Sequence, residues 1–371
     1  MVASGTPQAA PRRSIRDDPA LLGRLAAWVH ANVLTDWSGV HFHGLERTSG
    51  GVSYETWLVD AADPGHPSRA PVRFVIRREP LRGPVEPYDI AHEATVIRGL
   101  DGTGVPVPAL LGHCADPSVA GRPFTVLEYV PGEVPDYRTI MARPDWQDAA
   151  GRARMADDFV RVLSELQRVD WTRPGLASTL PAPASERERL HALIDDMLAS
   201  GARRMQGWVP HPVFGHAARW CKEHAPDGPA EDMVIVHGDY KVGNFIWRDG
   251  RIVAMLDWEG AMIGDPLQDL GYACHPAMRE PRPELMAMLA PLDAFVDRYE
   301  RFTGREVDPA RLHYYVIYAL LFHTWTLMVG IPSIVEWDGD MRMATAYSKL
   351  NQVTRLLAAQ IDSYEEGRGV L

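Results

Sequence analysis

The chain has 371 residues, of which 46% are hydrophobic and 23% charged, and its formal net charge is −11. That composition is ordinary for a folded globular protein, and the negative charge gives no electrostatic basis for binding nucleic acid. Three scattered cysteines without a CxxC spacing argue against a disulfide framework and a structural zinc site, so we expect a reducing, cytoplasmic environment.

The first predicted element is a helix that follows a disordered leader. Residues 1–16 lack the apolar core of a secretory signal and have the composition of a disordered segment. Asp18 is a suitable N-cap, and Pro19 suits the first helical turn. Apolar residues then recur with helical period as far as Leu34, which predicts an amphipathic helix.

Strand patterns dominate the chain from His41 to Gly132. Short apolar or alternating runs between turn residues are typical of strands, and Gly50 and Gly51 indicate a hairpin between the first two. The predicted elements are strands in HFHGLERTSGGVSYETWLVDA on either side of the glycine pair, a strand in VRFVIRREP, a helix from Asp89 to Leu100, and strands in GVPVPALLGHC and FTVLEYVPGEV.

Helical patterns dominate the rest of the chain. The predicted helices are Ala149–Val169, Ser185–Met205, Pro283–Tyr299, Pro309–Val329 and Met341–Ser363. The apolar segment 314–331 has about the minimum length of a membrane span, but it contains His323 and Thr324, and we predict a buried core helix rather than a membrane contact. A strand-rich first part and a helix-rich second part predict an α+β protein of two lobes, residues 17–130 and 131–371.

One segment places polar groups among strand patterns: VIVHGDYKVGNFIWRDGRIVAMLDWEGAMIGDP, residues 234–266. A carboxylate is costly to bury unless it is paired or bound to a cation. The Asp-Gly dipeptide at 249–250 predicts a tight hairpin, and counting back from it places Asn244 near Met255 on the partner strand. Asp257 would then lie diagonally across the ladder, about 7–8 Å away, where an amide oxygen and a carboxylate could hold Mg²⁺.

The motifs of this segment resemble those of kinases. HGD at 237–239, followed after four residues by Asn244, resembles the catalytic loop HxDxxxxN, and DWE at 257–259 stands where protein kinases have the metal-binding DFG. With the trailing IGDPLQDLGY, these motifs resemble the aminoglycoside phosphotransferase-like family, which includes choline kinases and the phosphotransferase modules associated with acyl-CoA dehydrogenases. The similarity is greatest to those modules.

The resemblance implies a two-lobe protein-kinase-like fold. A small antiparallel β-sheet with one inserted helix would form the N-terminal lobe, and a larger, mainly helical lobe would follow. By the same resemblance Asp239 is the base that accepts the proton of a substrate hydroxyl, and Asn244 and Asp257 hold Mg²⁺. The residues with supporting roles in the loop or beside the metal are His237, Glu259, Asp265 and Asp269.

A nucleotide site between the lobes is also implied by the resemblance. A loop between two strands covers the phosphates, a strand cation contacts them, a helix supplies the carboxylate partner of that cation, and the backbone that links the lobes meets adenine. The corresponding residues are Gly50, Gly51, Ser53, Arg77, Glu93, Glu128, Tyr129 and Val130. ATP is the expected nucleotide, with GTP as an alternative, because Arg77 replaces the usual lysine.

These motifs predict an ATP-dependent kinase that phosphorylates a hydroxyl of a small molecule. An aminoglycoside, an amino alcohol and a hydroxyacyl-CoA all stay open as the acceptor. The alternative is a nucleotide-binding pseudokinase or regulatory module without turnover, against which the three intact polar positions argue. Two further choices are open from the residues alone: Arg78 competes with Arg77 for the phosphates, and His323 either belongs to the core or lines the acceptor pocket.

Overall fold

The computed structural model describes residues 18–48, 53–80, 87–135, 140, 143–205, 211–279, 282–336 and 348–370. The predicted leader at 1–16, the glycine pair Gly50 and Gly51, and the first residues of the predicted helix at 341–363 lie outside the described residues. The described chain divides into two compact units, one of residues 1–81 and 110–129 and the other of residues 82–109 and 130–371.

The secondary structure is a set of strands followed by a mainly helical segment, which matches the predicted α+β class. The strands are β1 (His41–Arg47), β2 (Glu55–Ala62), β3 (Val72–Arg78), β4 (Leu110–Cys114), β5 (Phe124–Glu128), β6 (Val234–Val236), β7 (Phe245–Arg248), β8 (Arg251–Met255) and β9 (Met262–Gly264). The helices are α1 (Pro19–Asn32), α2 (Ile90–Leu100), α3 (Pro117–Ala120), α4 (Pro144–Gln147), α5 (Ala149–Gln167), α6 (Leu176–Thr179), α7 (Glu186–Arg204), α8 (Pro212–Glu223), α9 (Leu267–Cys274), α10 (Leu292–Thr303), α11 (Pro309–Glu336) and α12 (Leu350–Glu365).

The first unit is built on a five-stranded antiparallel sheet with the strand order β1-β2-β3-β5-β4. Every second residue of β2 is buried, at Trp57, Val59 and Ala61, because successive side chains of a strand point to opposite faces. Helix α1 packs its apolar residues into the same core. It begins at its predicted cap, Asp18, whose side chain accepts from two backbone N–H groups.

The second unit contains two short antiparallel ladders, β6 with β9 and β7 with β8. A buried carboxylate ties one of them to the helices: Asp158 of α5 is 4% exposed and accepts from the backbone N–H of Ile252 at 2.7 Å. The HGD motif follows β6 and the DWE motif follows β8. The helices therefore position both motifs by holding these strands.

Helix α11 forms part of the core of the second unit. Among the described residues it is the one helix that is long and apolar enough to cross a membrane, and 78% of its apolar window is buried inside the protein. Its packing against α9 is close at Gly271, where an added Cβ would lie 2.8 Å from the backbone carbon of Tyr315. Burial of this kind is typical of a core helix.

The structure differs most from the predicted helices at α10 and α8. The predicted helix 283–299 is wrong in its first half, because residues 282–291 form turns in which Ala287 and Met288 have positive φ, and α10 starts only after Pro291. Helix α8 was not predicted. Its buried residues are nonetheless spaced as on one helical face, at 214, 217, 218 and 221.

We expect Gly271→Ala to destabilise the protein by about 1–3 kcal/mol, because the added methyl overpacks the contact between α9 and α11. The matched control is Gly215→Ala in α8, where a Cβ meets nothing within 4 Å. That change should be neutral or stabilise by about 0.4–1 kcal/mol, since it restricts the unfolded chain. Urea unfolding of both variants measures the difference; equal stability would contradict the close packing.

Candidate active site

The loop after β6 is held by one buried carboxylate. Asp269 of α9 accepts the backbone N–H of His237 at 2.7 Å and that of Gly238 at 3.0 Å, and it is 1% exposed. Burial raises the pKa of the Asp269 carboxyl, although the nearby His237 ring and the two N–H donors favour its ionised form. The first two residues of the HGD motif are therefore fixed to the start of a helix.

The ring of His237 joins the two motifs. Its Nε2 donates to the carbonyl oxygen of Leu256 at 2.8 Å, and its Nδ1 accepts the backbone N–H of Asp239 at 3.2 Å. These contacts assign the ring proton to Nε2. The ring is fully buried and packs 4.7 Å from the ring of Trp258. His237 thus positions backbone on both sides of the site.

Asp239 lies among groups that stabilise its ionised form. Its Oδ2 accepts from Lys241 Nζ at 2.5 Å and from Asn244 Nδ2 at 2.7 Å. Its Oδ1 is buried and makes no hydrogen bond within the described chain, although the side chain as a whole is 22% exposed. Burial opposes ionisation, but the Lys241 ammonium, together with Tyr272 and Asn244, holds the pKa of Asp239 below its usual value.

Asn244 is placed nearer to the second motif than the sequence predicted. Asn244 lies near Met255, as predicted, but one position further along: Met255 pairs with Phe245, and the N–H of Leu256 donates to the Asn244 carbonyl at 2.8 Å. The cause is a register shift between Ile246 and Trp247, since a bulge adds one residue to one strand. Asp257 follows directly on the residue bonded to Asn244.

Asp257 adopts a left-handed backbone, with φ 68° and ψ 59°. For a residue other than glycine this conformation costs about 1–2 kcal/mol, and such strain is common at functional sites. The side chain is half-buried, whereas Glu259 two residues further on is exposed. The structure therefore gives Asp257, rather than Glu259, the fixed position in the DWE motif.

Gly238 must be glycine in this arrangement. Its φ is +84°, and an added Cβ would lie 2.4 Å from the carbonyl oxygen of Gly260. The backbones of the HGD loop and of the segment after DWE therefore approach each other directly, which only a residue without a side chain permits.

Helix α2 supports the second motif from its other side. Oε1 of Glu93 accepts the backbone N–H of Trp258 at 3.4 Å, and Nε2 of His92 donates to the carbonyl oxygen of Ala261 at 3.0 Å. Glu93 is fully buried. Sequence reasoning assigned Glu93 to a cation and missed His92, because a contact between segments so far apart in the chain leaves no local pattern.

The donor set around the two motifs fits a hard cation. Nδ2 of Asn244 donates to the backbone carbonyl of Asp239 as well as to its carboxylate. The amide oxygen of Asn244 and the carboxylate of Asp257 are of the kind that Mg²⁺ prefers as ligands. No group of three or more His, Cys, Asp or Glu residues suited to a metal occurs within the described ranges. A cation here would take its other ligands from water and phosphate.

The Asp265 carboxylate accepts hydrogen bonds from two residues of the second unit. Its Oδ1 accepts the backbone N–H of Leu267 at 2.7 Å at the start of α9, and its Oδ2 accepts from Arg311 Nε at 2.6 Å. It is 2% exposed. Asp265 therefore fixes the beginning of α9, while Asp269 in the same helix contacts the HGD loop.

In the first unit the structure separates the two arginines of β3. Arg78 is 2% exposed, pairs with Glu55 and donates to the carbonyl oxygen of Ala120 at 2.7 Å. Arg77 is half-buried on the opposite face, with its guanidinium carbon 4.9 Å from the ring centre of Tyr54. Arg78 is therefore a core residue, and Arg77 is the candidate phosphate ligand.

The remaining predicted nucleotide residues that the structure describes lie at or near the ends of strands β2 and β5. Ser53 precedes β2 and is half-buried. Glu128 is exposed at the end of β5, where its backbone pairs with Phe74, and the Tyr129 ring lies 5.4 Å from the guanidinium carbon of Arg73. Val130 is half-buried at the start of the second unit's main segment.

The antiparallel sheet, the helical second unit and the two motifs are those of a kinase-like phosphotransferase. A model of the phosphotransferase enzyme family (APH) matches residues 44–313, and the chain belongs to this family. Among curated relatives, acyl-CoA dehydrogenase family member 11 of Gallus gallus is 29% identical over 213 residues, covering 54% of this chain and 25% of that protein. N-acetylmuramate/N-acetylglucosamine kinase of Caulobacter vibrioides is 38% identical over 89 residues, covering 22% of this chain and 23% of that protein.

Solved structures confirm the predicted kinase-like fold. A protein of Ralstonia eutropha JMP134 assigned by name to the aminoglycoside phosphotransferases is 21% identical, with a TM-score of 0.69 over 93% of this chain and 98% of that chain. A thermostable mutant of aminoglycoside phosphotransferase APH(4)-Ia, in a ternary complex with ADP and hygromycin B, is 15% identical, with a TM-score of 0.54 over 90% of this chain and 98% of that chain. The chain spans about a quarter of the length of the two curated relatives.

We expect Gly238→Ala to destabilise the second unit more than Gly250→Ala does. Both glycines have positive φ, but a Cβ at Gly250 meets only Met155 Cγ at 3.9 Å, whereas at Gly238 it meets the Gly260 backbone. The shared conformational cost is about 1–2 kcal/mol, and the clash should add about 1–3 kcal/mol. Thermal unfolding of the two variants measures the difference, and equal losses would show that the loops do not approach as described.

Proposed function

We propose that this protein is an ATP-dependent small-molecule kinase that transfers the γ-phosphoryl group to a substrate hydroxyl. The observation that carries the proposal is the position of Asp239, an ionised carboxylate in a loop that Asp269 anchors. Asp239 accepts a hydrogen bond from Asn244, and the carbonyl of Asn244 accepts the N–H of Leu256, the residue before Asp257. A kinase site needs these three groups together, because phosphoryl transfer depends mainly on positioning and on neutralising charge.

In the proposed reaction Asp239 accepts the proton of the acceptor hydroxyl. The hydroxyl oxygen forms a bond to the γ-phosphorus, the bond from the γ-phosphorus to the oxygen bridging to the β-phosphate breaks, and ADP leaves with that electron pair. The lowered pKa of Asp239 keeps the carboxylate ionised and ready to orient the hydroxyl near neutral pH.

Asn244 and Asp257 would hold Mg²⁺. When bound, the ion neutralises charge on the phosphates of ATP. The left-handed backbone at Asp257 and the hydrogen bond that the N–H of the next residue, Trp258, donates to Glu93 support a fixed orientation for the Asp257 carboxylate. Asp265 and Asp269 would keep the loop and α9 in register during turnover.

The nucleotide would be bound by residues of the strand-rich unit as well. Arg77 would contact the phosphates, Ser53 and the glycine pair would cover them, and the backbone of 128–130 would meet adenine. The family membership and the ADP bound to a structural neighbour support ATP as the nucleotide, with GTP as the alternative. The planar guanidinium of Arg77 would bind phosphate oxygens in pairs, which a lysine cannot do.

Several chemical classes of acceptor are compatible with the proposed reaction. One structural neighbour binds hygromycin B, and one relative is named for N-acetylmuramate and N-acetylglucosamine. The match to acyl-CoA dehydrogenase family member 11 covers only 25% of that protein. Aminoglycosides, amino alcohols, amino sugars and hydroxyacyl-CoA esters are therefore the acceptors to test.

Asp239→Asn and Asp257→Asn should separate catalysis from binding. We expect Asp239→Asn to keep Mg²⁺-ATP binding and lose phosphoryl transfer by about 10²–10⁴-fold, the usual contribution of a general base. Asp257→Asn should weaken Mg²⁺-ATP binding itself, because it removes a charged metal ligand. Thermal shift with Mg²⁺-ATP measures binding, and release of ADP with acceptor measures transfer.

The control for this pair is Asp196→Asn, at an exposed position of α7, which should change neither quantity. Normal binding and transfer in both site variants would contradict the assignment of the site. Nucleotide binding without transfer in the unmodified protein would favour the pseudokinase alternative.

Lys241→Met should move the acidic limb of the pH–rate profile to higher pH. Burial favours the neutral form of Asp239, and the Lys241 charge opposes it; without that charge the pKa of Asp239 rises, so the base becomes protonated at a higher pH. The profile of kcat against pH measures the shift. Lys222→Met, which removes a partner of exposed Asp195, serves as the control, and an unmoved limb in Lys241→Met would contradict the role of Asp239 as base.

A further inference from the structure

Two histidines lie together in the second unit, one buried and one half-buried, and each has a buried ring nitrogen that lacks a partner in the described chain. His275, at the end of α9, is 0% exposed, and neither of its ring nitrogens has a hydrogen-bond partner in the described chain. His323, in α11, has a buried Nδ1 that likewise has none there. The centres of the two rings are 5.4 Å apart. Buried polar atoms without partners are uncommon in folded proteins and call for a specific explanation.

The histidine pair adjoins the proposed base. The ring of Tyr272 lies 5.3 Å from the ring of His275, and Tyr272 is also one of the groups that favour the ionised form of Asp239. The charges of Asp239 and Lys241 both act on His323. A path of adjacent side chains therefore leads from the base to the two unpartnered rings.

Both imidazoles are neutral at pH 7. Burial, with the charge of Lys241 as the next contribution, lowers the pKa of His323 to about 4. Burial and the neighbouring His323 also hold the pKa of His275 well below its ordinary value. A neutral imidazole has one donor nitrogen and one acceptor nitrogen, which suits the hydroxyl and carbonyl groups of an uncharged ligand.

The charges that act on the pair are mainly positive. They come from Lys241 beside the loop, Arg279 after α9 and Lys349 before α12. The Asp239 carboxylate also acts on His323, but it is already paired with Lys241. Arg279 is itself engaged by the carbonyl oxygens of Cys274 and Pro283. A cationic acceptor would lose hydration here without gaining a carboxylate partner.

We propose that His275 and His323 bind the acceptor through hydrogen bonds, and that this acceptor is an uncharged or anionic hydroxyl compound rather than a polycation. The inference rests on the proposed kinase function and narrows its substrate class. It explains the unpartnered nitrogens, because the hydroxyl and carbonyl groups of the acceptor would supply the missing partners.

The test measures transfer from radiolabelled ATP to four acceptors: uncharged N-acetylglucosamine, anionic N-acetylmuramate, and cationic hygromycin B and choline. We expect kcat/KM for the better of the first two to exceed that for either cation by at least about tenfold. His323→Asn should raise the KM for that acceptor about tenfold, the usual effect of losing one hydrogen bond, and leave the KM for ATP unchanged. His275→Asn serves as the second variant if His323→Asn does not fold.

His313→Asn is the matched control. His313 is another histidine of α11 and is 2% exposed, but its Nε2 lies 2.8 Å from Gln360 Oε1, so it already has a partner within the chain. Its substitution should lower stability and leave both KM values unchanged. This control separates a general cost of replacing a buried histidine from the loss of an acceptor contact.

The outcomes distinguish the two proposals. Two results would overturn the inference without affecting the proposed kinase function. One is transfer that prefers a cationic acceptor. The other is an acceptor KM that is unchanged in both His323→Asn and His275→Asn, which would indicate that buried water bridges the rings. No transfer to any of these four acceptors or to a hydroxyacyl-CoA ester would overturn the proposed kinase function and the inference with it.

Discussion

The buried carboxylate of Asp269 is the contact on which the candidate active site depends. It accepts two successive backbone N–H groups of the HGD loop, and this fixes the ring of His237, which in turn contacts the backbone of Asp239 and of Leu256. Burial favours the neutral form of Asp269, and the N–H donors favour its ionised form. The conformation of the loop and the charge of Asp269 therefore stabilise each other.

The parts of the structure that the sequence predicted are those determined by nearby residues. The Asp-Gly dipeptide at 249–250 forms the expected hairpin turn, with positive φ at both residues. Asp18 caps its helix as predicted, and Asp89 and Ser185, the first residues of two predicted helices, are the N-caps of α2 and α7. The choice between the arginines of β3 was also available in the pattern, because Arg78 shares the alternation of the buried positions and Arg77 does not.

The parts that the sequence did not predict depend on contacts between distant segments. The register shift before Trp247 moves Asn244 toward Asp257, and a bulge of one residue has no marker in the sequence. The hydrogen bond between Glu93 and Trp258 joins a helix to a loop far along the chain. In 282–291 the composition permits a helix, but the tertiary structure holds turns there, which shows how packing overrides local preference.

The most direct test of the account is anomalous diffraction from crystals of the protein grown with Mn²⁺ and AMP-PNP, a non-hydrolysable ATP analogue. Mn²⁺ takes the oxygen ligands that Mg²⁺ takes. The account predicts an anomalous peak within about 2.0–2.3 Å of the amide oxygen of Asn244 and a carboxylate oxygen of Asp257, with the γ-phosphate next to it and facing Asp239. A nucleotide bound elsewhere, or a metal that contacts neither Asn244 nor Asp257, would contradict it.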